Sequence, residues 1–320
     1  NQAFIHKPFQ ALNKLLPTMS TTITEPAKSA LARLDLTANP ENVDEKQQTQ
    51  ELSSIQRLSQ GPTIGGIPSF TEVEKQRRWM LEHLAGAFRV FARKGYTEGL
   101  AGHISLRDPE KKDCFWTNPF GVHFGMIKVS DLLLLNEEGQ TIGGATHLPG
   151  NAAGFQIHSH LHKRYPHVNA ACHTHSKYGK AYSAFGKRLE MINQDSLVFH
   201  GDAHGVYKEF GGVVLEESEG QRLADCLGEK GKGLILLNHG LLTVGKTVDE
   251  AAYLYTLMER SCEVQLLADA AAEGSGHQKI MVTDKAAEFS FKAISDPEAL
   301  YCDFQPDLQY ETYLNADYLQ

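Results

Sequence analysis

Residues 169–176 read NAACHTHS, and the rest of the chain is organised around this stretch. Small and apolar residues lead into a His-x-His pair, after which the chain turns polar and looks helical from Ser176. Side chains at positions i and i+2 of a strand point to the same face, roughly 7 Å apart along it. We therefore expect His173 and His175 to project together from a strand end, where two imidazoles suit one divalent metal. The alternative is two separately hydrogen-bonded histidines.

A second apolar run supplies a candidate third ligand. Residues 233–245 read GLILLNHGLLTVG, which predicts a buried hairpin with His239 at its tight end beside Gly240. A polar ring there is either a satisfied core group or a ligand, and the His pair favours a ligand. Three protein ligands with one open position are typical of catalytic zinc. Imidazole also suits other divalent metals, so we expect Zn²⁺, with Fe²⁺, Co²⁺ or Mn²⁺ as alternatives.

Capping patterns and turns predict the remaining elements. Ser69-x-x-Glu72, Thr71-x-x-Glu74 and Thr247-x-x-Glu250 are capping boxes at the starts of two amphipathic helices. Short strands joined by tight turns favour an antiparallel sheet. Helices are predicted at 71–94, 149–164, 176–185, 221–227 and 247–272, and strands within 99–107, 113–116, 130–136, 139–144, 169–175 and the hairpin 233–245.

Polar residues in two other segments are candidates for the site. The stretch 191–214 is too irregular for one element and predicts strand and loop lining a pocket; the alternative is a solvated loop. It contains Asp195, His200, His204 and Tyr207. On the helix 149–164, His158 and His162 share a face with Phe155, and we expect one of the two histidines to face the core or the pocket. A zincin motif would need Glu at position 159, where Ser stands.

Composition excludes several classes of protein. The 320 residues are 41% hydrophobic and 22% charged, with a net charge of −8 and a pI near 6.0. These values are typical of a soluble globular protein and argue against a general nucleic-acid-binding role. No apolar run approaches the roughly 18 residues of a membrane span. Five cysteines without a CxxC pair, and no secretory segment, predict reduced thiols and a cytoplasmic location.

The sequence divides into three parts. Residues 1–68 are polar and punctuated by Pro and Gly, which predicts a weakly ordered tail with a short helix near 27–36. Residues 1–18 precede Met19 and read as upstream sequence or a presequence. Residues 69–275 form the predicted domain. The aromatic-rich stretch 276–320 predicts an irregular arm that packs on its own or a neighbouring subunit.

Four ordered motifs resemble the class II aldolase/adducin family, in its fungal-type, adducin-like branch, over about residues 70–275. They are Gly102-His103-Ile104-Ser105, His173-Thr174-His175, Asn238-His239-Gly240-Leu241 and the helix start 247–251. The resemblance implies a single α/β domain of three layers, α/β/α, with a mostly antiparallel central sheet. It also implies a divalent metal on His173, His175 and His239. A homo-oligomer, dimer or tetramer, with sites near subunit interfaces is expected as well.

The departures from the family pattern bear on the substrate. Sugar-phosphate aldolases of the family have a Ser-Ser-Glu segment before a helical His, and this Glu is both metal ligand and acid/base. Counting back from His158 places Ala152, Ala153 and Gly154 at those positions. His103 replaces the family's phosphate-contacting Asn. We assign catalytic roles to Asp195, His204, Tyr207 and His158, with His147 as a further candidate acid or base, and substrate contacts to His103, Asn118, Gly121 and His200.

These observations predict a metal-dependent lyase that acts on a small, non-phosphorylated hydroxy-carbonyl or keto-acid substrate, by aldol-type cleavage or decarboxylation. A non-haem iron oxygenase on the same fold is an alternative, because three histidines without a carboxylate leave open positions on the metal. A non-catalytic, adducin-like assembly domain is a third hypothesis, although the three histidines are all present.

Overall fold

A computed structural model describes residues 52–62, 64–210, 212 and 217–320. Within these ranges the helices, in chain order, are α1 Ser54–Leu58, α2 Val73–Arg93, α3 Ala152–Arg164, α4 Lys177–Ser183, α5 Glu217–Leu227, α6 Val248–Ser275, α7 Asp284–Ile294 and α8 Pro297–Leu314. The strands are β1 His103–Arg107, β2 Phe115–Thr117, β3 Leu133–Leu135, β4 Thr141–Gly144, β5 Ala170–Thr174, β6 His204–Tyr207, β7 Gly233–Leu236 and β8 Gly240–Gly245.

The strands form one sheet in the order β4-β3-β2-β1-β5-β8-β7-β6. Each neighbouring pair is antiparallel except β6 and β7, which are parallel. The α/β class and the mostly antiparallel sheet expected from the sequence are therefore confirmed. Strands β1 and β5 lie at the centre, where His103 pairs directly with His173.

Helices cover both faces of the sheet, which makes three layers. On β5, Ala170 and Cys172 belong to one core, with α2, α6 and α8, whereas Ala171 belongs to the other, with α3 and α5. Successive strand residues point to opposite faces, so a strand covered on both sides is buried at every position. All five residues of β5 are buried. Within the described residues, none of the helices combines the length and the apolarity that crossing a bilayer requires.

Several predicted boundaries move when the backbone is seen. Helix α2 begins at Val73, and the side chain of Glu72 accepts no hydrogen bond from a first-turn amide, so neither predicted capping box is used there. Thr247 does cap α6 through the amide of Glu250. Helix α3 begins at Ala152 because the side chain of Asn151 accepts a hydrogen bond from the amide of Gly154.

The C-terminal stretch is helical rather than irregular. The side chain of Asp296 accepts from the amides of Glu298 and Ala299, and Pro297 occupies the first turn of α8; this Asp-Pro start is a helix signal present in the sequence. Phe304 is fully buried among α2, α6 and α8 of the same chain. The tail predicted for 1–68, with its helix near 27–36, lies outside the described residues except for 52–62 and 64–68. The three-part domain division stays a prediction.

Candidate metal centre and active-site cavity

Three histidines converge at the end of β5. His173 is in the strand, His175 follows it, and His239 lies in the turn between β7 and β8. The ring centroids are 5.2 Å apart for His173 and His175, 4.7 Å for His173 and His239, and 4.8 Å for His175 and His239. One nitrogen of each ring lies within 4.8 Å of the other two. Zinc bonds of about 2.0–2.1 Å would require the three rings to rotate closer to one another than they stand here.

The β7–β8 turn places His239 by two local features. Asn238 has a φ of 54°, a left-handed conformation that asparagine tolerates better than most residues. A Cβ at Gly240 would come 2.8 Å from the carbonyl oxygen of Thr174, so only glycine lets the turn approach the end of β5 this closely.

The protonation state of the three rings suits a cation. His173 Nδ1 donates a hydrogen bond to the carbonyl oxygen of Leu241 at 2.8 Å, which leaves Nε2 unprotonated toward the other two rings. Burial lowers the pKa of His173 far below its usual value, and burial together with His175 lowers the pKa of His239 to about 4. Neutral imidazoles are the form that binds metal. The donor set therefore fits a divalent cation.

A buried carboxylate supports the segment that carries His175. Glu259 on α6 accepts hydrogen bonds from the amides of Tyr178 at 2.8 Å and Gly179 at 2.7 Å, and from the hydroxyl of Ser176. These amides belong to the first turn of α4, so Glu259 stabilises the turn that follows His175. The pKa of Glu259 is raised, and burial is the largest cause. Sequence reasoning missed this residue, although an acid in the buried stripe of a long helix is an anomaly that marks it.

A second buried network begins at His103. Its Nδ1 lies 2.8 Å from Nε2 of His158, and Nδ1 of His158 lies 2.6 Å from the hydroxyl oxygen of Ser105. The same hydroxyl lies 2.7 Å from Nε2 of His162, whose Nδ1 contacts the carbonyl oxygen of Val168 at 3.1 Å. His158 thus stands behind His103 and not at the metal centre. Ser105 was not identified from the sequence.

A cavity of about 730 Å³ opens beside the three histidines. Its wall includes His103 and the three converging histidines, and Lys180 is its one residue with a permanent charge among those described. Lys180 forms an ion pair with Glu98. The rest of the wall is largely small or apolar: Leu100, Ala101, Gly102, Phe120, Gly150, Asn151, Ala152, Ala153, Ile157, Phe210, Gly212 and Asn238.

Two predicted substrate contacts lie behind this wall. The side-chain oxygen of Asn118 accepts from the amide of Ile104 at 3.4 Å, and its amide donates to the carbonyl of Gly102 at 3.5 Å. Asn118 therefore stabilises the turn before His103. Gly121 lines a small neighbouring cleft with Asn118. Neither belongs to the described lining of the larger cavity.

The polar residues of 191–214 are not brought to the cavity. His204 accepts from the amide of Leu189 at 3.0 Å through Nε2 and donates to the carbonyl of Phe199 through Nδ1, so both of its nitrogens are used. The hydroxyl of Tyr207 pairs with Arg222 and Glu209, the ring of His200 packs against Phe291, and Asp195 is exposed at the start of a 3₁₀ helix. None of these four residues lies in the described lining of the cavity, and the catalytic and substrate roles expected for them stay predictions. A polar stretch of sequence does not show whether its side chains point toward a cavity or toward local partners.

The chain is similar to several known proteins. The family model described as "Class II Aldolase and Adducin N-terminal domain" matches residues 82–266. The chain is 45% identical over 248 residues to the meiotically up-regulated gene 14 protein of Schizosaccharomyces pombe, covering 78% of this chain and 95% of that one.

Two Streptomyces proteins are each 40% identical to the chain. Decarboxylase NovR of Streptomyces niveus aligns with 64% of this chain and 76% of its own length. The 4-hydroxy-3-prenylphenylpyruvate oxygenase/4-hydroxy-3-prenylbenzoate synthase of Streptomyces roseochromogenus aligns with 64% and 73%. Among solved structures, L-fuculose 1-phosphate aldolase from Glaciozyma antarctica is 42% identical, with a TM-score of 0.72 over 79% of this chain and 96% of that one.

Proposed function

Because the chain belongs to the class II aldolase and adducin family, we propose that it is a metal-dependent lyase acting on a non-phosphorylated hydroxy-carbonyl or keto acid. The observation that carries the proposal is the cavity, in which three convergent imidazoles stand beside one lysine in an otherwise largely small or apolar wall. The relatives named a decarboxylase and an aldolase support a lyase-type reaction.

The lining of the cavity supports a substrate without a phosphate. Ala152 and Ala153 line it at the positions where sugar-phosphate aldolases resembling this chain have serines, and His103 stands at the position of their phosphate-contacting asparagine. Lys180 offers one cationic group, which suits a single carboxylate. Leu100, Phe120, Ile157 and Phe210 suit an apolar substrate body.

A divalent metal held by His173, His175 and His239 would polarise the substrate carbonyl. Lys180 would bind the carboxylate of the substrate and orient it. In an aldol cleavage, His103 Nε2 would accept the proton of the substrate hydroxyl while the adjacent C–C bond breaks and its electron pair passes to the enolate. In a decarboxylation, the bond to the carboxylate breaks instead and CO₂ leaves. In the aldol cleavage the proton taken up by His103 Nε2 can pass to the enolate carbon, and in the decarboxylation this proton comes from solvent. The apolar wall would limit the access of water until then.

Metal analysis and turnover test this proposal together. We expect purified protein to contain about one divalent ion per chain, His239→Ala to lose it, and metal-loaded protein to release aldehyde or CO₂ from a panel of hydroxy-carbonyl and keto acids. His123→Ala, at a histidine outside the cavity lining, is the matched control and should keep the ion. A loaded protein inactive on the whole panel would refute the lyase. Protein that binds no metal would instead indicate a non-catalytic, adducin-like role.

A second candidate function is supported by the relative named an oxygenase. Three imidazoles with open positions are compatible with iron-dependent oxygen chemistry. Anaerobic loading with Fe²⁺, followed by measurement of O₂ uptake with substrate, separates the two functions. A lyase consumes no O₂, whereas an oxygenase consumes it in proportion to product.

A further inference from the structure

We propose that a one-directional chain of hydrogen bonds through His158, Ser105 and His162 holds His103 with Nδ1 protonated and Nε2 unprotonated toward the cavity. We further propose that this Nε2 is the proton acceptor that replaces the family's missing carboxylate. The second statement rests on the proposed lyase function, whereas the first does not.

The direction of the chain follows from its last member. A carbonyl oxygen can only accept, so His162 Nδ1 must carry a proton and donate it to Val168. In a neutral ring, Nε2 of His162 is then an acceptor, and the hydroxyl of Ser105 donates to it. The oxygen of Ser105 is left to accept from Nδ1–H of His158. Nε2 of His158 is therefore an acceptor in turn, and the donor that meets it is Nδ1–H of His103.

The buried surroundings keep these rings neutral, as a chain of hydrogen bonds with a single direction requires. Burial, with a smaller contribution from the charge of Arg107, lowers the pKa of His162 to about 3. Arg107 also donates to the carbonyl oxygen of His162, so its guanidinium lies against this end of the chain. Burial likewise lowers the pKa of His158 far below its usual value. A proton added to Nε2 of His158 would face the Nδ1–H of His103 and break the chain there, whereas a proton taken up by Nε2 of His103 leaves every donor in place.

The free nitrogen of His103 faces the cavity. Nδ1 is taken by His158, and Cδ2 and Cγ lie beside Gly154. Nε2 has no hydrogen-bond partner among the described residues. Several side-chain nitrogen and oxygen atoms of the described residues are both without a partner and closed to solvent, and Nε2 of His103 is not among them. This nitrogen is therefore accessible to solvent. Since the His103 ring lines the cavity, its lone pair is available to a substrate.

His103 stands beside the metal centre without joining its ligand set. Its ring centroid is 4.9 Å from that of His173. The ring nitrogens that lie within 4.8 Å of one another, as ligands of one cation would, belong to His173, His175 and His239. A base next to the cation, and not bound to it, is within reach of a substrate hydroxyl held at the same centre.

Nitrogen-15 NMR of the metal-free full chain tests the tautomer directly. We expect long-range ¹H–¹⁵N correlations of His103, assigned by loss of its signals in His103→Gln, to show Nδ1 protonated and Nε2 unprotonated. Ser105→Ala removes the middle of the chain and should turn His103 into a mixture of tautomers, whereas Ser105→Thr keeps the hydroxyl and should restore the single form. Thr117→Val is the matched control, because Thr117 pairs with Ser105 across the sheet. Its buried hydroxyl donates to Ile104 and Asn118, which are not members of the hydrogen-bond chain.

A protonated Nε2 in the wild type, or an unchanged spectrum in folded Ser105→Ala, would overturn the tautomer assignment. In the activity assay we expect His103→Gln to lower kcat about 10²–10⁴-fold with its metal content unchanged. Loss of the metal in His103→Gln would make His103 a ligand and refute the base. If the wild type has no lyase activity, the proposed function and the base fail together, while the NMR result still decides the tautomer.

Discussion

The imidazole of His103 fills the space that a side chain at Gly154 would need. A Cβ at position 154 would lie 2.7 Å from Cδ2 and 2.8 Å from Cγ of His103. The resemblance to the class II aldolases implies an asparagine and a glutamate at these two positions in the sugar-phosphate members of the family. The exchange of both is therefore sterically coupled: the ring of His103 fits only because position 154 carries no side chain.

We predict that Gly154→Ala destabilises the protein by about 1–3 kcal/mol through overpacking, although alanine is ordinarily the better helix residue. In His103→Asn the same change should cost less, with a coupling of roughly 0.5–3 kcal/mol in urea unfolding of the four proteins. Gly274→Ala on α6, where a Cβ would meet nothing within 4 Å, is the control and should be neutral or stabilising. Additive effects would mean that the two positions are independent.

Glu259→Gln should weaken metal binding, although Glu259 is not one of the three metal-binding histidines. The change removes a charged acceptor from the amides of Tyr178 and Gly179, and we expect a loss of about 1–3 kcal/mol in unfolding free energy. Calorimetric titration with Zn²⁺ should show weaker binding, because the turn after His175 is less well held. Glu273→Gln, at an exposed position of the same helix, should change neither quantity. Equal affinities in the two variants would contradict the role given to Glu259.

Asn238→Ala should destabilise the fold by roughly 1–2 kcal/mol, since alanine resists the left-handed conformation of this turn. Asn238→Gly should be tolerated, because glycine adopts that conformation without strain. Thermal unfolding compares the two variants with wild type. If glycine were as harmful as alanine, the side chain of Asn238, which lines the cavity, and not its backbone would be what matters.

Lys180→Gln should raise KM for an acidic substrate. Hydrogen bonds to charged groups contribute about 1.5–3 kcal/mol, which corresponds to roughly 10–150-fold in KM, with a smaller change in kcat. Lys177→Gln, on the same helix but outside the cavity lining, is the control. The methyl ester of the substrate should respond much less to Lys180→Gln. An equal response of acid and ester would exclude a carboxylate contact.

Stability should fall as the pH drops from about 6.5 toward 4. Burial, and then the charge of Arg188, lowers the pKa of His204 to about 4 in the folded state, so the unfolded chain binds more protons in this window. The free energy of unfolding then rises with pH, and this contribution is fully present above the unfolded pKa of about 6.5. His204→Gln should flatten the slope in urea unfolding between pH 4.5 and 7. A slope identical to that of wild type would assign the acid sensitivity to other groups.

Apolar runs made the centre of the fold predictable from the sequence. β5 and the β7–β8 hairpin are buried on both faces, so their composition indicates strands whatever surrounds them. The meeting of His173, His175 and His239 followed from their positions at strand ends together with the family motifs. His158 was singled out, but its place behind His103 was not foreseeable, because helix periodicity gives a face and not the neighbour on it.

The remaining sites depended on long-range packing that no local pattern shows. His204 and Tyr207 look like pocket residues in a polar stretch, yet β6 is the edge strand farthest from β4 and turns both toward local partners. Glu259 is hidden in an apolar helix stripe, and its role depends on α4 packing against α6. Helix α8 was not predicted because the aromatic residues near the C-terminus suggested an irregular arm, although the Asp296-Pro297 cap was present in the sequence.

The antiparallel pairing of β5 with β8 decides when a metal can bind. His173 and His175 are separated from His239 by α4, β6, α5 and β7, so the ligands meet only after strands distant in the chain have paired. Such contacts form slowly and late in folding. Added zinc should therefore leave the refolding rate unchanged and slow only unfolding. If the chain binds the proposed metal, the apoprotein is expected to fold on its own and to acquire the ion afterwards, so metal supply, and not chain synthesis, would determine which ion it carries.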